Sequence, residues 1–231
     1  MDMTVPEAAL LLNTLEQTVY QWIQSGELPA HSVKGVYRLN RQEVLEWATA
    51  KNRRFSTGYF KQMAPQSRTT VLAAALQEGG LFYDVPGTTR DEVLSEIVQR
   101  MRLPERVDRA FLLDILLARE ALGSTGVGNG IAIPHARNPI VLKVDKPHLA
   151  LFFLKAPVDF KALDNKPVSI LFTLISPTVQ SHLQMLSRLA YLLQEEHFRT
   201  LLQQKALPEV LLEAVVEVDM KLTPATEGRA G

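Results

Sequence analysis

The 231-residue chain contains no cysteine. That absence removes disulfides, thiolate metal ligands and a cysteine nucleophile together, and it fits a reducing compartment. Nor is there an uninterrupted apolar run of about 18 residues, the length a membrane-spanning helix requires. The opening MDMTVPEAALLLNTLEQ has no basic segment before its apolar residues and meets acidic and polar side chains within a few positions, so it does not read as a secretory signal. The expectation is a soluble cytoplasmic protein with no membrane partner. Neither sign of charge is in excess: 25 Lys plus Arg balance 25 Asp plus Glu. No global field draws the chain to nucleic acid, and any basic surface must be local. A G-x-x-x-x-G-K-[ST] phosphate loop is missing, and GVGNG at 126–130 lacks the third glycine of a dinucleotide fingerprint. No cofactor is expected, and internal repeats and low-complexity tracts are absent too.

What is present begins with apolar content, 46%, enough for one large core or for a medium and a small one. The patterning favours two unequal domains. Thr4 with Glu7 gives a capping-box signature ahead of Ala8, Ala9, Leu11 and Leu12, and Asn40 with Glu43 repeats it ahead of Val44, Leu45 and Trp47. Between them Val19, Tyr20, Trp22 and Ile23 sit on a short helix ending at Gly26, and Lys34-Gly35 separates two short runs that read as a hairpin. The basic, aperiodic segment from Lys51 to Arg68, with Gly58 and Pro65, is the linker candidate. This predicts a helix-turn-helix unit over 1–53, a linker over 54–68, an αβ domain over 69–219 and a disordered tail over 220–231. Within the αβ domain, helices are expected over 89–101, 107–121, 181–193 and 198–202, and strands over 130–133, 148–154 and 168–175.

The chemistry concentrates in GSTGVGNGIAIPHARNPI, Gly123 to Ile140. Pro134 bars the α region for Ile133, so IAI remains extended up to His135, whose imidazole is held at a strand end. Gly123, Gly126, Gly128 and Gly130 leave backbone N–H groups unobstructed, as an anion-binding nest requires, and Ser124 and Thr125 add hydroxyl donors. Arg119 and Arg137 bring positive charge on either side. A histidine with its ordinary pKa of about 6.5 is a competent nucleophile at neutral pH, so a phosphohistidine needs neither metal nor nucleotide of its own. The phosphoryl donor would be another phosphoprotein. His182 lies on the helix face of Met185, Leu186 and Leu189, and by periodicity alone it is either a core residue or a partner of His135. The glycine segment, taken alone, is either an anion nest or a plain turn. A metal site of His135, His148 and His182 is disfavoured, since no H-E-x-x-H, cysteine or nearby carboxylate ligand accompanies them. His31 and His197 read as surface residues.

REALGSTGVGNGIAIPHAR, APVDF and SHLQMLSRLAYLLQEEHFR together resemble the enzyme IIA domain of the bacterial phosphotransferase system, of the fructose, mannitol and nitrogen-regulatory type (type 2), from about Thr70 to Val218. The resemblance implies an α/β fold, a mixed five-stranded sheet flanked by helices. It implies that His135 is the phosphorylated residue and His182 the second active-site histidine, supporting the phosphoryl group. It puts Arg119 where a guanidinium neutralises charge near the phosphate and contacts the donor, and Ser124, Thr125 and Gly126 where loop groups lie close to the phosphorylated ring. Phosphoryl transfer leaves little covalent chemistry to the protein, so positioning and electrostatic stabilisation must carry it. The implied partner is a histidine-containing phosphocarrier protein, HPr or its nitrogen-type paralogue.

About the first 50 residues, through TVPEAA, TVYQWIQSGELPA and VYRLNRQEV, resemble the small winged helix-turn-helix of the excisionase and MerR type. This implies that Glu16 to Ile23 is a recognition helix and that Lys34 to Arg38 forms a wing. Gln17, Thr18, Tyr20 and Gln21 are the candidate contacts to DNA, Tyr20 being equally a candidate for the core, with Lys34 and Arg38 against the DNA backbone. Residues 1–66 hold seven basic and six acidic side chains, so attraction rests on the late cluster Lys34, Arg38, Arg41, Lys51, Arg53 and Arg54, and Glu16 opposes it. One small module makes few phosphate contacts, which makes a homodimer the natural remedy. The same module also suits protein interaction or dimerisation.

The combined expectation is a cytoplasmic phosphocarrier and regulator, not a free-standing turnover enzyme. The phosphorylation state of His135 would tune DNA or partner-protein binding. Two rival readings stand beside it: a DNA-binding or scaffold protein that uses the IIA domain as a docking surface, and a transport component that passes phosphate to a sugar permease. The first does not require His135, His182 and Arg119 together, and the second leaves the helix-turn-helix unexplained.

Overall fold

A computed structural model describes residues 2–33, 35–51, 53–56, 59, 71–136, 142–162 and 164–222. Lys34, Arg137, most of the expected linker and residues 223–231 lie outside the described residues. The N-terminal module runs β1 (Asp2–Met3), α1 (Val5–Leu11), α2 (Glu16–Gln24), β2 (His31–Val33), β3 (Val36–Asn40) and α3 (Arg41–Ala50). Thr4 and Glu7 close the capping box that starts α1, with Pro6 in the first turn, where a backbone N–H has no helical partner. Val33 pairs with Val36 around the expected hairpin turn, and the three strands order as β1-β3-β2. The Asn40 side chain accepts the amide hydrogens of Gln42 and Glu43 and so starts α3.

The larger domain comprises α4 (Val71–Gly79), β4 (Leu81–Val85), α5 (Arg90–Arg100), α6 (Arg109–Ala121), β5 (Gly126–Gly128), β6 (Ile131–Ala132), β7 (His148–Val158), β8 (Val168–Ile175), α7 (Val179–Leu192), α8 (Glu196–Gln203) and α9 (Pro208–Leu222). Its sheet is mixed, with order β4-β7-β8-β6-β5; β4 with β7 and β6 with β8 are parallel, the other two pairings antiparallel. Strand β7 reads as an almost continuous apolar run because both faces are covered. Leu149, Leu151 and Phe153 meet residues of α4, α7, α8 and α9, whereas Ala150, Phe152 and Leu154 meet residues of α5 and α6. Full burial of a side chain such as Phe152 or Phe153 stabilises the fold by roughly 1.5–3 kcal/mol.

The N-terminal module is not a separate bead. Met3, Leu11, Val44 and Trp47 belong to the same continuous apolar cluster as Ile131, Ile133 and Leu186, and α3 lies against α7 and β5. Phe55 and Ser56, at the start of the expected linker, are anchored too. The Phe55 amide donates to Gln194 Oε1 at 3.2 Å, the Ser56 amide donates to the Leu11 carbonyl at 2.9 Å, and Gln194 Nε2 donates to the Arg53 carbonyl. The reason is apolar: Phe55 is buried in the shared cluster.

Two further expectations are corrected. Gly126–Gly128, read as loop, is a strand paired with β6, and β6 itself is shorter than the expected 130–133, because Asn129 and Gly130 adopt positive φ (54° and 74°) and turn the chain. Helix α9 continues through Leu222, whose burial against the core draws the first three residues of the expected tail into the helix. No helix among the described residues is long and apolar enough to cross a membrane.

Candidate functional site

Pro134 has no amide hydrogen to give to a sheet, but its carbonyl accepts from the Leu174 amide at 3.3 Å, and His135 pairs with Leu174 in a parallel bridge. The strand direction is therefore kept through the proline. Ile133 packs into the cluster shared with the module, and the two-residue period of a strand puts His135 on that same side. His135 Nδ1 lies 2.6 Å from the Ile133 carbonyl oxygen. A carbonyl only accepts, so Nδ1 carries the proton, and a neutral ring presents its lone pair at Nε2.

His182 arrives from the first turn of α7. Thr178 caps that helix by accepting the Ser181 amide hydrogen at 3.0 Å, and its carbonyl accepts from the His182 amide at 2.9 Å. The His135 and His182 rings lie 5.3 Å apart between centroids at a 40° tilt, and each residue is 1% exposed. Neither ring nitrogen of His182 has a hydrogen-bond partner among the described residues. Burial first, and then His135, push the His182 imidazole down to about 3, with Glu46 pulling weakly the other way. His182 is thus neutral at pH 7 and keeps one N–H for an acceptor.

Arg119 comes from the last turn of α6. Its Nη1 donates to the Gly123 carbonyl at 2.9 Å, which orients the guanidinium, and its Nη2 donates to Glu46 Oε2 at 2.9 Å. Glu46 belongs to α3. Its Oε1 stands 3.2 Å from His135 Nε2 and accepts from Gln42 Nε2 at 3.0 Å, while the Gln42 amide also makes a short contact with His135 Nε2. In the neutral ring Nε2 accepts from Gln42; once protonated, it donates to Glu46. Burial would push the Glu46 carboxyl up, but with the His135 ring protonated its contact, together with the Arg119 guanidinium and the Gln42 amide, outweighs burial and holds the group at about 2.

The remaining sequence candidates fall into three groups. His135, His182 and Arg119 converge. Ser124, Thr125 and Gly126, expected to support a phosphate, are satisfied within the protein in this conformation. Ser124 Oγ donates to the Phe160 carbonyl and accepts from the Gly126 amide, and the Thr125 hydroxyl and amide both donate to the buried Glu120. A hydroxyl has one proton to give, so the expected glycine nest is replaced by a strand whose polar groups are already paired. A Cβ on Gly126 would lie 2.5 Å from the Ala162 Cβ, so glycine is required there for close approach.

In the module, Gln17, Tyr20 and Gln21 are exposed, and Thr18 and Arg38 are half-buried. Tyr20 is 39% exposed beside Tyr37, a surface residue and not core. Two cations of the expected basic patch instead rest on aromatic rings: Arg53 on Trp22 and Trp47, and Arg41 on Tyr59. His148 lines a cleft of about 440 Å³ with Glu78 and Arg106 that neither His135 nor His182 borders.

Sequence reasoning missed Gln42 and Glu46. Their signal, two polar residues one turn apart on a helix, ordinarily marks a solvated face. Glu120 was missed as well.

Comparisons with known proteins bear on the family. The family model "Phosphoenolpyruvate-dependent sugar phosphotransferase system, EIIA 2" matches residues 75–217, and a helix-turn-helix domain model matches residues 3–52. The nitrogen regulatory protein of Pseudomonas aeruginosa is 40% identical over 151 residues, 64% of this chain and 96% of that protein. The PTS system fructose-specific EIIA component of Haloferax volcanii is 38% identical over 113 residues, 48% of this chain and 71% of that one. Among solved structures, nitrogen regulatory protein IIA-Ntr from Neisseria meningitidis superposes with a TM-score of 0.52 at 31% identity, over 58% of this chain and 92% of its own. A putative PTS IIA domain from Streptococcus pyogenes gives 0.53 at 26% identity, over 64% of this chain and 95% of its own. A buried histidine pair and an arginine on a mixed five-stranded sheet, together with a family match over most of the chain, give one conclusion: this chain belongs to the phosphotransferase-system EIIA type 2 family, with a helix-turn-helix domain joined in front.

Proposed function

We propose that the chain is a regulatory phosphocarrier that accepts a phosphoryl group on Nε2 of His135 from the phosphohistidine of an HPr-type carrier protein, and that its phosphorylation state governs what the N-terminal module binds, DNA or a protein partner. The observation that carries this reading is the ring of His135. Its Nδ1–H is tied to the Ile133 carbonyl, its Nε2 is the nitrogen left to attack, and a neutral His182 and the Arg119 guanidinium stand beside it.

The transfer then balances simply. The donor's N–P bond breaks with both electrons returning to the donor nitrogen, and the Nε2 lone pair of His135 forms the new P–N bond. The Nδ1 proton stays on its hydrogen bond, and the positive charge lost by the donor's phosphoimidazolium is gained by the His135 ring. One nitrogen nucleophile replaces another, so the protein's share is orientation and charge stabilisation. Arg119 would meet the phosphoryl oxygens, and His182 would donate its one N–H to them.

The names of the relatives, nitrogen regulatory proteins among them, favour regulation over sugar transport. The face of α2 with exposed Gln17, Tyr20 and Gln21 and half-buried Thr18 supports DNA as the module's target, with Arg38 and the Lys34 position as backbone contacts and a homodimer supplying a second half-site. The boundaries that suit this division of labour are 1–53 for the module and, for the IIA domain, 69 to the end of α9 at Leu222. Incubation with phosphoenolpyruvate, the general phosphotransferase enzyme and HPr, read by intact mass, tests the reading. Acid-labile phosphate on the wild type and none on His135→Ala is the expected result. Absence of label from both the wild type and a Glu46→Ala variant, with a separate IIA domain labelled in parallel, would overturn it.

A further inference from the structure

We infer that helix α3 is the resident occupant of the phosphoryl-acceptor pocket, with the Glu46 carboxylate held where the phosphoryl group of His135 must go, so that docking of the N-terminal module and phosphorylation exclude each other. The inference rests on the phosphocarrier reading above and names the device by which one domain senses the other.

Position supports it first. Glu46 divides its two oxygens between the two groups that a phosphoryl group on His135 would need: Oε2 on Arg119 Nη2 at 2.9 Å, Oε1 at 3.2 Å from His135 Nε2. A carboxylate is a smaller anion of the same kind as a phosphoryl group, presenting acceptor oxygens to a guanidinium. Gln42, one turn earlier on α3, lies against the same Nε2 and braces Glu46 at 3.0 Å.

Access supports it second. Attack on phosphorus requires the donor to approach along the Nε2 lone pair, and that direction is taken by Gln42 and Glu46, leaving His135 1% exposed. Label can enter only from a state in which α3 has left, and the apparent rate falls in proportion to the population of that state.

Charge supports it third. A phosphoryl group carries close to two negative charges, and among the described residues the guanidinium beside it is that of Arg119, which Glu46 already occupies. Two anions in one buried pocket repel strongly, so a phosphorylated His135 takes Arg119 and expels Glu46. In the unphosphorylated protein the module is held both by this polar latch and by apolar packing of α3 against α7 and β5, and losing the latch tips the balance toward undocking. The recognition face of α2 is exposed in the docked state. Docking therefore does not mask that face; it fixes where the face is held, and phosphorylation releases it.

The test uses the full-length wild type, Glu46→Ala and Glu46→Gln. Initial labelling rates by phosphoenolpyruvate, the general enzyme and HPr are read by intact mass, and hydrogen exchange of residues 41–50 is read before and after labelling. Loss of a charge-assisted hydrogen bond to a buried partner should speed labelling of Glu46→Ala by roughly ten- to a hundredfold. Glu46→Gln, which keeps the shape and loses the charge, should fall between. Exchange in α3 should rise in Glu46→Ala without any label, and in the wild type on phosphorylation. Equal labelling rates with unchanged α3 protection in all forms would overturn the inference while leaving the phosphocarrier reading intact. No label on any form, with a control IIA domain labelled, would overturn the reading and the competition with it, and the exchange data would then describe a purely structural contact.

Discussion

Arg188 and Arg119 are both buried, and each holds a carboxylate, at 2.8 and 2.9 Å respectively. Arg188 meets Asp219 inside the IIA domain, joining α7 to α9. Asp219 also accepts the amide hydrogens of Leu72 and Ala73 at 2.7 and 3.0 Å, which fixes the start of α4. Arg119 meets Glu46 across the two domains, and Glu46 is 23% exposed where Asp219 is 1%. The contrast lies in what separation leaves behind. Pulling Asp219 away would strand a cation and two helix-end amides in the core. Pulling Glu46 away returns a carboxylate to water and leaves Arg119 on the Gly123 carbonyl, ready for another anion. Burial of a charge pair is thus not by itself a sign of a fixed strut; the second partner's route to solvent decides.

The largest expected effect erases what the second pair covers. His135→Ala should abolish phosphoryl labelling, read by intact mass, in a chain that circular dichroism shows to be folded. Next, Asp219→Ala should cost about 3–5 kcal/mol, because it leaves the Arg188 charge buried without its partner; urea unfolding would show it, and a loss under 1 kcal/mol would place this pair in the same class as the other. Gly126→Ala should cost about 1–3 kcal/mol through the clash with Ala162 under β5, again read by urea.

The smallest effect is a pH dependence. His182 is held at about 3 in the native protein, below the ordinary histidine value, so the unfolded chain binds the extra proton first. Stability present above about pH 6.5 is therefore lost as pH falls toward 3, by about 1 kcal/mol between about pH 7.5 and 5.5. Glu46, which faces His135, His182, Arg119 and Gln42, is held at about 2 when docked. Docking should accordingly weaken from about pH 4.5 downward, seen as faster exchange in α3 while the IIA helices remain protected.

The two pairs also mark what sequence reveals. The meeting of His135 and His182 was legible in part: a proline keeps the residue before His135 extended, but the helical period left His182 as either core or partner, and the family resemblance favoured the partner. Helices α1 and α3 announced their starts through Thr4, Glu7 and Asn40. Strand β5 was hidden, since glycines offer no alternation of side chains; its strand character comes from pairing with β6 and from the approach of Ala162. Helix α4, VLAAALQEG, is apolar on so many sides that no face stands out, whereas α9 spaces Leu211, Ala214, Val215, Val218 and Leu222 at a helical period that was there to be used. Glu46 was out of reach for a deeper reason. A Gln-Glu pair one turn apart reads as solvated surface, and only the packing of Val44, Leu45 and Trp47 into the shared core brings α3 over His135.

The most direct test of the central claim is hydrogen exchange of α3 in the full-length wild type, measured before and after His135 is phosphorylated to full occupancy. Slow exchange over residues 41–50 that becomes fast once the label is on is the predicted result. Protection of α3 that is unchanged at full occupancy would contradict the account, because the phosphoryl group and Glu46 would then share one pocket.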